Sequence, residues 1–434
     1  MNHLRLTKLS AVIGLTIFSS TAFAGPQNFS SARSFAMGGT GVATAHPAEA
    51  AAANPAMMAA NQNDWSDDFG LILPSVNARV ADEQKVVDQV DDIQSVIDRF
   101  DQQVAAFNPA TDNPDNIKST AADLRDRLVA FDQDKMRANL GLGLALSAPS
   151  QALAVGAFTN ATLVTTIEGE LSGQDRTLLD DIANASSAAD AQTAIDAATD
   201  SNGNLNLTSK GKVLAAAKAE VGLSFARQFE LQNGANLQVG VSPKYVQLKT
   251  FQYTETVSGF EDNNFDSDNN TTDKSGFNLD LGTAYTFGES QQWNLGVVAR
   301  NLIPMELDSA ASRPDLGEKV RTLELNPTVT AGIAHTGDFH VLTAELDLTK
   351  NKAFGFEDDT QWLALGAELD AWRYAQLRFG VRQNLASNDN NDGIEEKTQF
   401  TAGFGLNLMG VRLDLAGLYS KADVGAALEL GTSF

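Results

Sequence analysis

Asp423-Val424-Gly425-Ala426-Ala427-Leu428-Glu429-Leu430-Gly431-Thr432-Ser433-Phe434 alternates strictly between two faces. Val424, Ala426, Leu428, Leu430, Thr432 and Phe434 share one side. Asp423, Gly425, Ala427, Glu429, Gly431 and Ser433 share the other. Successive side chains of a strand point to opposite faces, so this segment reads as a strand with one apolar and one small or polar face. A strand of this kind that stops on an aromatic is the habit of outer-membrane β-barrels, whose last strand pairs with the first and leaves no open edge. Phe434 is then the terminus of the closing strand, and this strand is what barrel-assembly machinery would engage.

The N-terminal residues agree. Arg5 and Lys8 precede the apolar stretch Leu9 to Phe18, and Ala22-Phe23-Ala24 is a small-residue cleavage site. This pattern predicts a cleavable signal peptide over residues 1–24 and a mature chain beginning near Gly25. The apolar stretch is too short to span a bilayer, and no later run is long enough for a membrane helix. The 434 residues include no cysteine, which excludes disulfides, thiol redox chemistry and thiolate metal sites. Net charge is −24, and removing Arg5 and Lys8 with the signal takes it to −26. Such acidity argues against a nucleic-acid partner, which would call for clustered Lys and Arg. A mean hydropathy of −0.18 is compatible with membrane insertion, because barrels place apolar residues in alternation rather than in runs.

Alternation recurs from Asp68 onward. Fourteen segments qualify, near 68–81, 138–148, 152–168, 217–230, 235–257, 276–288, 291–302, 323–336, 338–349, 360–370, 375–386, 397–409, 410–421 and 423–434. Their connections alternate in length. Even-to-odd links such as Pro149-Ser150-Gln151, Glu289-Ser290 and Gly337 are brief, whereas most odd-to-even links (82–137, 169–216, 258–275, 303–322, 350–359, 387–396) are long. Short periplasmic turns and long external loops produce this parity, so the expected fold is an all-β transmembrane barrel of about 14 antiparallel strands. The closing strand should pair with 68–81, placing both ends of the barrel on the periplasmic side. Arg378 and Arg382 alternate with Leu377, Phe379 and Val381; Arg412 and Asp414 with Val411, Leu413 and Leu415; Glu345 and Asp347 with Leu342, Ala344, Leu346 and Leu348. A basic side chain facing lipid at mid-bilayer costs about 2–4 kcal/mol, and an acidic one less, so these six residues are expected to line the lumen. Trp293, Trp372 and Tyr374 fall at periplasmic strand ends, where an aromatic girdle sits.

Two long loops carry helical patterns. Val86, Val90, Ile93, Ile97, Phe100, Val104 and Phe107 recur at spacings of three and four. After a break at 108–114, Ile117, Ala121, Leu124, Leu128 and Phe131 resume the pattern. This predicts a self-packing antiparallel helical hairpin inserted over 83–135. A second insertion, 172–216, holds an Ala-rich helical tract from Arg176 to Thr199, less apolar and expected to be mobile.

Little catalytic or cofactor chemistry can be assembled. No histidine pair has metal-ligand spacing, and His335 and His340 read as solvated residues flanking a turn. Gly-x-Ser-x-Gly is absent, and no Ser/His/Asp arrangement can be argued, so an enzyme is not expected. Asn388-Asp389-Asn390-Asn391-Asp392-Gly393 partly matches a calcium loop. However, Asn388 takes the first ligand position, and Gln399 stands where the bidentate Glu belongs, so a solvated acidic loop is the better reading. No cofactor or metal is expected. The expected surroundings are outer-membrane lipid and lipopolysaccharide.

Between the signal and the first strand, residues 25–66 lack alternation and are rich in small residues, with Gly38-Gly39-Thr40-Gly41 and later Asn54-Pro55-Ala56. A nucleotide loop would need a preceding strand and a following Lys, and both are missing. The stretch Ser34 to Ala43, with Ala48 to Ala53 and Asn54-Pro55-Ala56, resembles the mature N-terminus of FadL-like outer-membrane proteins. Together with Phe69-Gly70-Leu71-Ile72-Leu73-Pro74-Ser75-Val76 and the helix Val86 to Phe107, it resembles more closely the TraF-like conjugal-transfer family. The resemblance implies a plug inside the barrel, with Gly38, Gly39, Gly41, Asn54 and Pro55 as plug residues, and passage of hydrophobic compounds inward. No fatty-acid-binding residues are carried over. The thioredoxin-like protein that shares the TraF name needs a dithiol, which a chain without Cys cannot supply. The expectation is a passive, plug-gated channel for small molecules, hydrophobic ones among them. The alternative is a surface adhesion or mating-contact protein acting through the hairpin 83–135.

Overall fold

The computed structural model describes residues 31–60, 70–201, 205–232, 234–259, 268–371, 374–387, 393–395 and 397–433. The expected signal peptide, Trp372, the acidic run 388–392 and Phe434 lie outside them. Seven strands come first: β1 (Gly70–Ala81), β2 (Lys135–Ala148), β3 (Ala154–Glu170), β4 (Lys210–Glu230), β5 (Asn236–Thr256), β6 (Thr271–Phe287) and β7 (Trp293–Arg300). A short hairpin, β8 (Met305–Asp308) and β9 (Thr322–Leu325), stands apart from the main sheet. The second seven are β10 (Thr328–Thr336), β11 (His340–Asp347), β12 (Trp362–Ala371), β13 (Ala375–Asn384), β14 (Thr398–Leu408), β15 (Val411–Ser420) and β16 (Asp423–Ser433). The two sets form a closed barrel of 14 antiparallel strands, each paired with its neighbours in the sequence. The closing pair runs from Gly70↔Ser433 to Ala81↔Asp423. Closure satisfies every backbone ladder internally, as a bilayer requires.

Outward residues are those that alternation places there. Val424, Leu428 and Leu430 of β16 are exposed on the outside, whereas Asp423, Ala427 and Glu429 are buried inside. In β1 the parity changes midway. Gly70 and Ile72 are buried, Leu73 and Pro74 are exposed, and thereafter Ser75, Arg79 and Ala81 point in. The register shifts between Ile72 and Ser75 against both β2 and β16, a bulge that flips the face and lodges Pro74 where no ladder donor is needed. At the short-turn rim the outward side chains of Tyr285, Phe287, Trp293, His335 and His340 contact one another in sequence, with ring centroids 5.4, 6.4, 4.7 and 5.2 Å apart. His335 and His340 are therefore not separate solvated turn residues; their rings stack and their Nδ1 and Nε2 lie 3.1 Å apart. Tyr374 is also outward and exposed. Toward the other rim, Tyr245 packs edge-on against Phe277. Ten residues of tilted strand separate Phe277 from Phe287 along β6, a height of about 25 Å, which matches an outer-membrane apolar band.

The largest departures from the sequence expectation are three; β2 and β6 merely begin a few residues earlier than expected. β4 begins at Lys210 rather than near 217, because residues 210–216 show no apolar/polar alternation yet are paired on both sides by β3 and β5. Residues 323–325, expected at the start of a membrane strand, instead belong to β9, and the barrel strand resumes at Thr328. The second helical tract is two helices, broken at Asn184 to Ser187, and it is packed.

Helices α3 (Val86–Ala106) and α4 (Asp115–Phe131) form the hairpin of the first insertion; α5 (Gly173–Ala183) and α6 (Ala188–Ala198) come from the second. Two short plug helices, α1 (Ala32–Ala36) and α2 (Pro47–Ala53), precede them. Val96, Phe100, Leu124, Leu128, Leu179, Ile182 and Ile195 share one buried core. That core continues onto Met136 of β2, Ile167 of β3 and Val213 of β4, which have the outward parity of the lipid-facing residues. The four helices thus dock on the outer flank of the barrel wall, above the membrane band. Asp175 at the start of α5 ties them to β4, accepting from the Thr208 and Ser209 amides and from the Thr208 hydroxyl.

Candidate functional site

The lumen is occupied from the short-turn side by residues 31–60. Ser31 caps α1 by accepting the Ser34 amide at 3.0 Å, and Pro47 opens α2 where its missing N–H costs nothing. His46 caps α2 through Nδ1, 3.4 Å from the Ala48 amide. Burial deep in the lumen, with the Arg412 and Arg33 cations nearby, holds its imidazole well below the ordinary histidine range, although the ring keeps some accessible surface. Asn54 caps the 3-10 turn Pro55–Ala59, its Oδ1 accepting from Ala56, while its Nδ2 donates to Val42 and Thr283 carbonyls at 2.7 and 3.2 Å. Ala48, the alanines at 50 to 53, Met57 and Met58 fill the space against Ile72, Ala145, Phe158 and Ala284 of the wall.

Glycines make room for this element. Gly38 (φ +76°) and Gly39 (φ +88°) take the left-handed conformation that turns the chain after α1. A side chain on Gly380 of the wall would collide with the Gly38 amide, and one on Gly296 with the Val42 carbonyl. Gly41 is different: a side chain there would meet Ala53 and the Ser34 hydroxyl only at ordinary contact distance.

Polar contacts fasten the plug to the wall. One oxygen of Glu345 accepts from three successive plug amides, Gly41, Val42 and Ala43, at 2.8, 2.6 and 3.3 Å. Arg33 forks onto Glu368 at 2.9 and 3.1 Å and donates to the Thr44 carbonyl at 2.7 Å. Glu368 also accepts from Arg378, which bonds Asp414, and Asp414 pairs with Arg412 at 3.1 Å. Glu429 accepts the Ala32 amide at 2.9 Å, and Ser147 and Ser224 donate to plug carbonyls. Arg382 lies 4.3 Å from the Trp362 ring centroid and donates to Gln399; Asp347 accepts from Thr330 and from the Trp362 amide. All six charged residues singled out from alternation point inward, but Glu345 is tied to the plug, Arg378, Asp414 and Arg412 to one another, and Arg382 and Asp347 to wall residues; Arg378 is 1% exposed.

Sequence reading missed Arg33, Glu368, Glu429 and Arg300. Alternation of Gly366, Glu368 and Asp370 against Leu365, Ala367 and Leu369 could have placed Glu368 in the lumen. Nothing local marks Arg33 as its partner, 335 residues away.

The long-loop side is closed differently. Residues 350–361, between β11 and β12, reach inward across the mouth. The Phe356 amide donates to Thr166 of β3, and Glu357 meets Arg137 of β2 at 3.3 Å, with β2 six places from β12 around the ring. Phe354 and Phe356 pack with Leu307, Leu323 and Leu325 of the β8–β9 hairpin and with the inward Leu214, Val246 and Leu248. Between this strap and the plug lies a cavity of about 200 Å³, bounded by Arg79, Arg300, Arg382, Glu345 and Asp347 among others.

A closed barrel with an N-terminal element packed in its lumen defines the class: a plugged barrel of the FadL type. A family model described as "F plasmid transfer operon, TraF, protein" matches residues 51–347, more than half of the chain, and the chain belongs to that family. Solved structures share the fold. A TodX monoaromatic hydrocarbon channel mutant superposes with a TM-score of 0.50 at 12% identity, covering 93% of this chain and 99% of that one. A Pseudomonas aeruginosa FadL homologue gives 0.49 at 10% identity (94% and 98% covered), and the Pseudomonas putida toluene transporter TodX 0.48 at 12% (95% and 100%). No curated protein sequence matches.

Proposed function

We propose that this protein is an outer-membrane channel for small molecules, passive and gated by its plug, with residues 34–56 as the moving part. The observation that carries this reading is a continuous barrel lumen stopped by a segment attached through hydrogen bonds and ion pairs, with a cavity on its outer side. Such contacts are individually modest and reversible, whereas the wall is a closed ladder. The channels of the same fold named above support the reading at the level of class. Their hydrocarbon cargo is one option for this chain; the charged boundary of its own cavity favours polar solutes. In the membrane, lipid and lipopolysaccharide would meet the outward apolar faces, and assembly machinery would engage β16. Solute flux into liposomes tests the gate. Deleting 34–56 should raise flux at least tenfold, and unchanged flux would remove the plug's role.

A second reading, surface adhesion or mating contact, is supported by the four-helix unit, which has its own core and stands on the outer flank. It assigns contact to the helices and leaves the lumen sealed.

A further inference from the structure

The charges that bound the lumenal cavity are not equally provided for. Lys352 pairs with Glu324 at 2.7 Å, Glu357 with Arg137 at 3.3 Å, and Arg79 stands 3.7 Å from Asp423. Glu345 and Asp347 accept from amides and a hydroxyl, and Arg382 has Gln399 and the Trp362 ring. Arg300 is the exception. It is 7% exposed and, among the described residues, has no carboxylate within 4 Å; the Glu345 carboxylate, on the same wall, acts on it only from a longer range. Its Nη2 donates to the Ala53 carbonyl of the plug, and its Nε meets no acceptor. Thr328, directly opposite on β10, also borders the cavity and has a buried hydroxyl without a partner.

A guanidinium does not shed its proton, so Arg300 carries its charge wherever it is placed. A buried guanidinium whose one hydrogen-bond acceptor is a neutral carbonyl has donors to spare, and an anion that accepts two parallel N–H bonds is the usual way to satisfy them. A hydrocarbon offers no acceptor to either Arg300 or Thr328, and burying both against it would leave them unpaired. We infer that the cavity is a binding site for a compact oxyanion, a small carboxylate or phosphate, held by the Arg300 guanidinium and the Thr328 hydroxyl. The size of the cavity suits a metabolite of a few heavy atoms rather than a long acyl chain. This assignment rests on the channel reading only for its purpose; binding is measurable without transport.

Isothermal titration of the full-length protein in detergent provides the test, with succinate, inorganic phosphate and toluene as probes. Either succinate or phosphate should bind, with toluene giving no heat. Arg300→Gln should weaken oxyanion binding tenfold or more, the loss expected for one charged hydrogen bond, and Thr328→Val severalfold. Both variants must retain the heat-modifiable gel migration of a folded barrel. Should Arg300→Gln fail to fold, Thr328→Val, which leaves the charge in place, carries the comparison. Absence of binding by either oxyanion overturns the proposal, as does binding that folded variants leave unchanged. Flux through the plug-deleted barrel without oxyanion binding refutes this site and leaves the channel standing. Arg300-dependent binding with no flux of any solute refutes the channel and leaves the site.

Discussion

His46 shows how much of the plug's behaviour resides in single side chains. Its ring is an N-cap only while Nδ1 carries a lone pair, and protonation replaces an acceptor with a donor facing the Ala48 amide. The folded imidazole titrates below the unfolded one, so the unfolded state binds the proton first as pH falls. The stabilisation is therefore complete above the unfolded value of about 6.5 and is lost on acidification below it. Plug release, followed by single-channel openings or by proteolysis of residues 31–60, should increase between pH 7 and pH 5. His46→Asn keeps a capping acceptor worth about 1 kcal/mol but does not titrate, and should flatten that dependence. An equal acid response in the variant would place the titrating group elsewhere. At this scale the sequence was half legible. Alternation puts Glu345, Arg378 and Asp414 inside, because facing lipid is too costly. It is silent on their partners, since Arg33 and the Gly41 to Ala43 amides come from a segment with no period of its own.

Among the elements, the β8–β9 hairpin is the least expected. Its strands are four residues each, too short for alternation to separate them from loop, and residues 323–325 read as the beginning of β10. What holds it is tertiary: Leu307, Leu323 and Leu325 are buried against Phe354, Phe356 and inward residues of β4 and β5. Truncating Leu323 and Leu325 to Ala should cost about 2–5 kcal/mol each. In a plug-deleted background this should loosen the strap and raise conductance above that of the deletion alone. Equal conductance would mean that the hairpin does not restrict the mouth. The α3–α4 hairpin, by contrast, was evident from its spacings of three and four. The docking of α5 and α6 beside it was not, because their apolar stripes are thin and their core is supplied by other elements.

Across the whole molecule, the two closures and the helical unit occupy different places. Plug and strap lie across the lumen toward opposite ends, whereas the helices lean on outward-facing Met136, Ile167 and Val213. Replacing 83–134 and 172–208 by short Gly/Ser linkers should therefore preserve barrel assembly, seen as heat-modifiable migration, and should leave the flux of the plug-deleted barrel within about twofold, the cost of linker closure being small. A large change in flux would put the helices over the pore. Loss of cell-to-cell contact with flux intact would support the adhesion reading. The barrel itself was legible almost throughout, from strand count to the pairing of 423–433 with 70–81, since both signals come from a period of two and from loop lengths. Among the described residues, only the bulge at Leu73 and Pro74 breaks that period, and there the face of β1 changes.

The sequence by itself determined the wall. A two-residue period and a long/short loop parity specify which residues meet lipid, how many strands close and which rim is which, because every strand faces the same solvent on the same side. The tertiary structure decided everything inside. Where the plug presses, which carboxylate meets which amide, how 350–361 crosses to β2 and β3, and why Arg300 is left with a single carbonyl all depend on contacts between segments hundreds of residues apart. Those contacts follow the shape and charge of one enclosed volume, and no local periodicity records them.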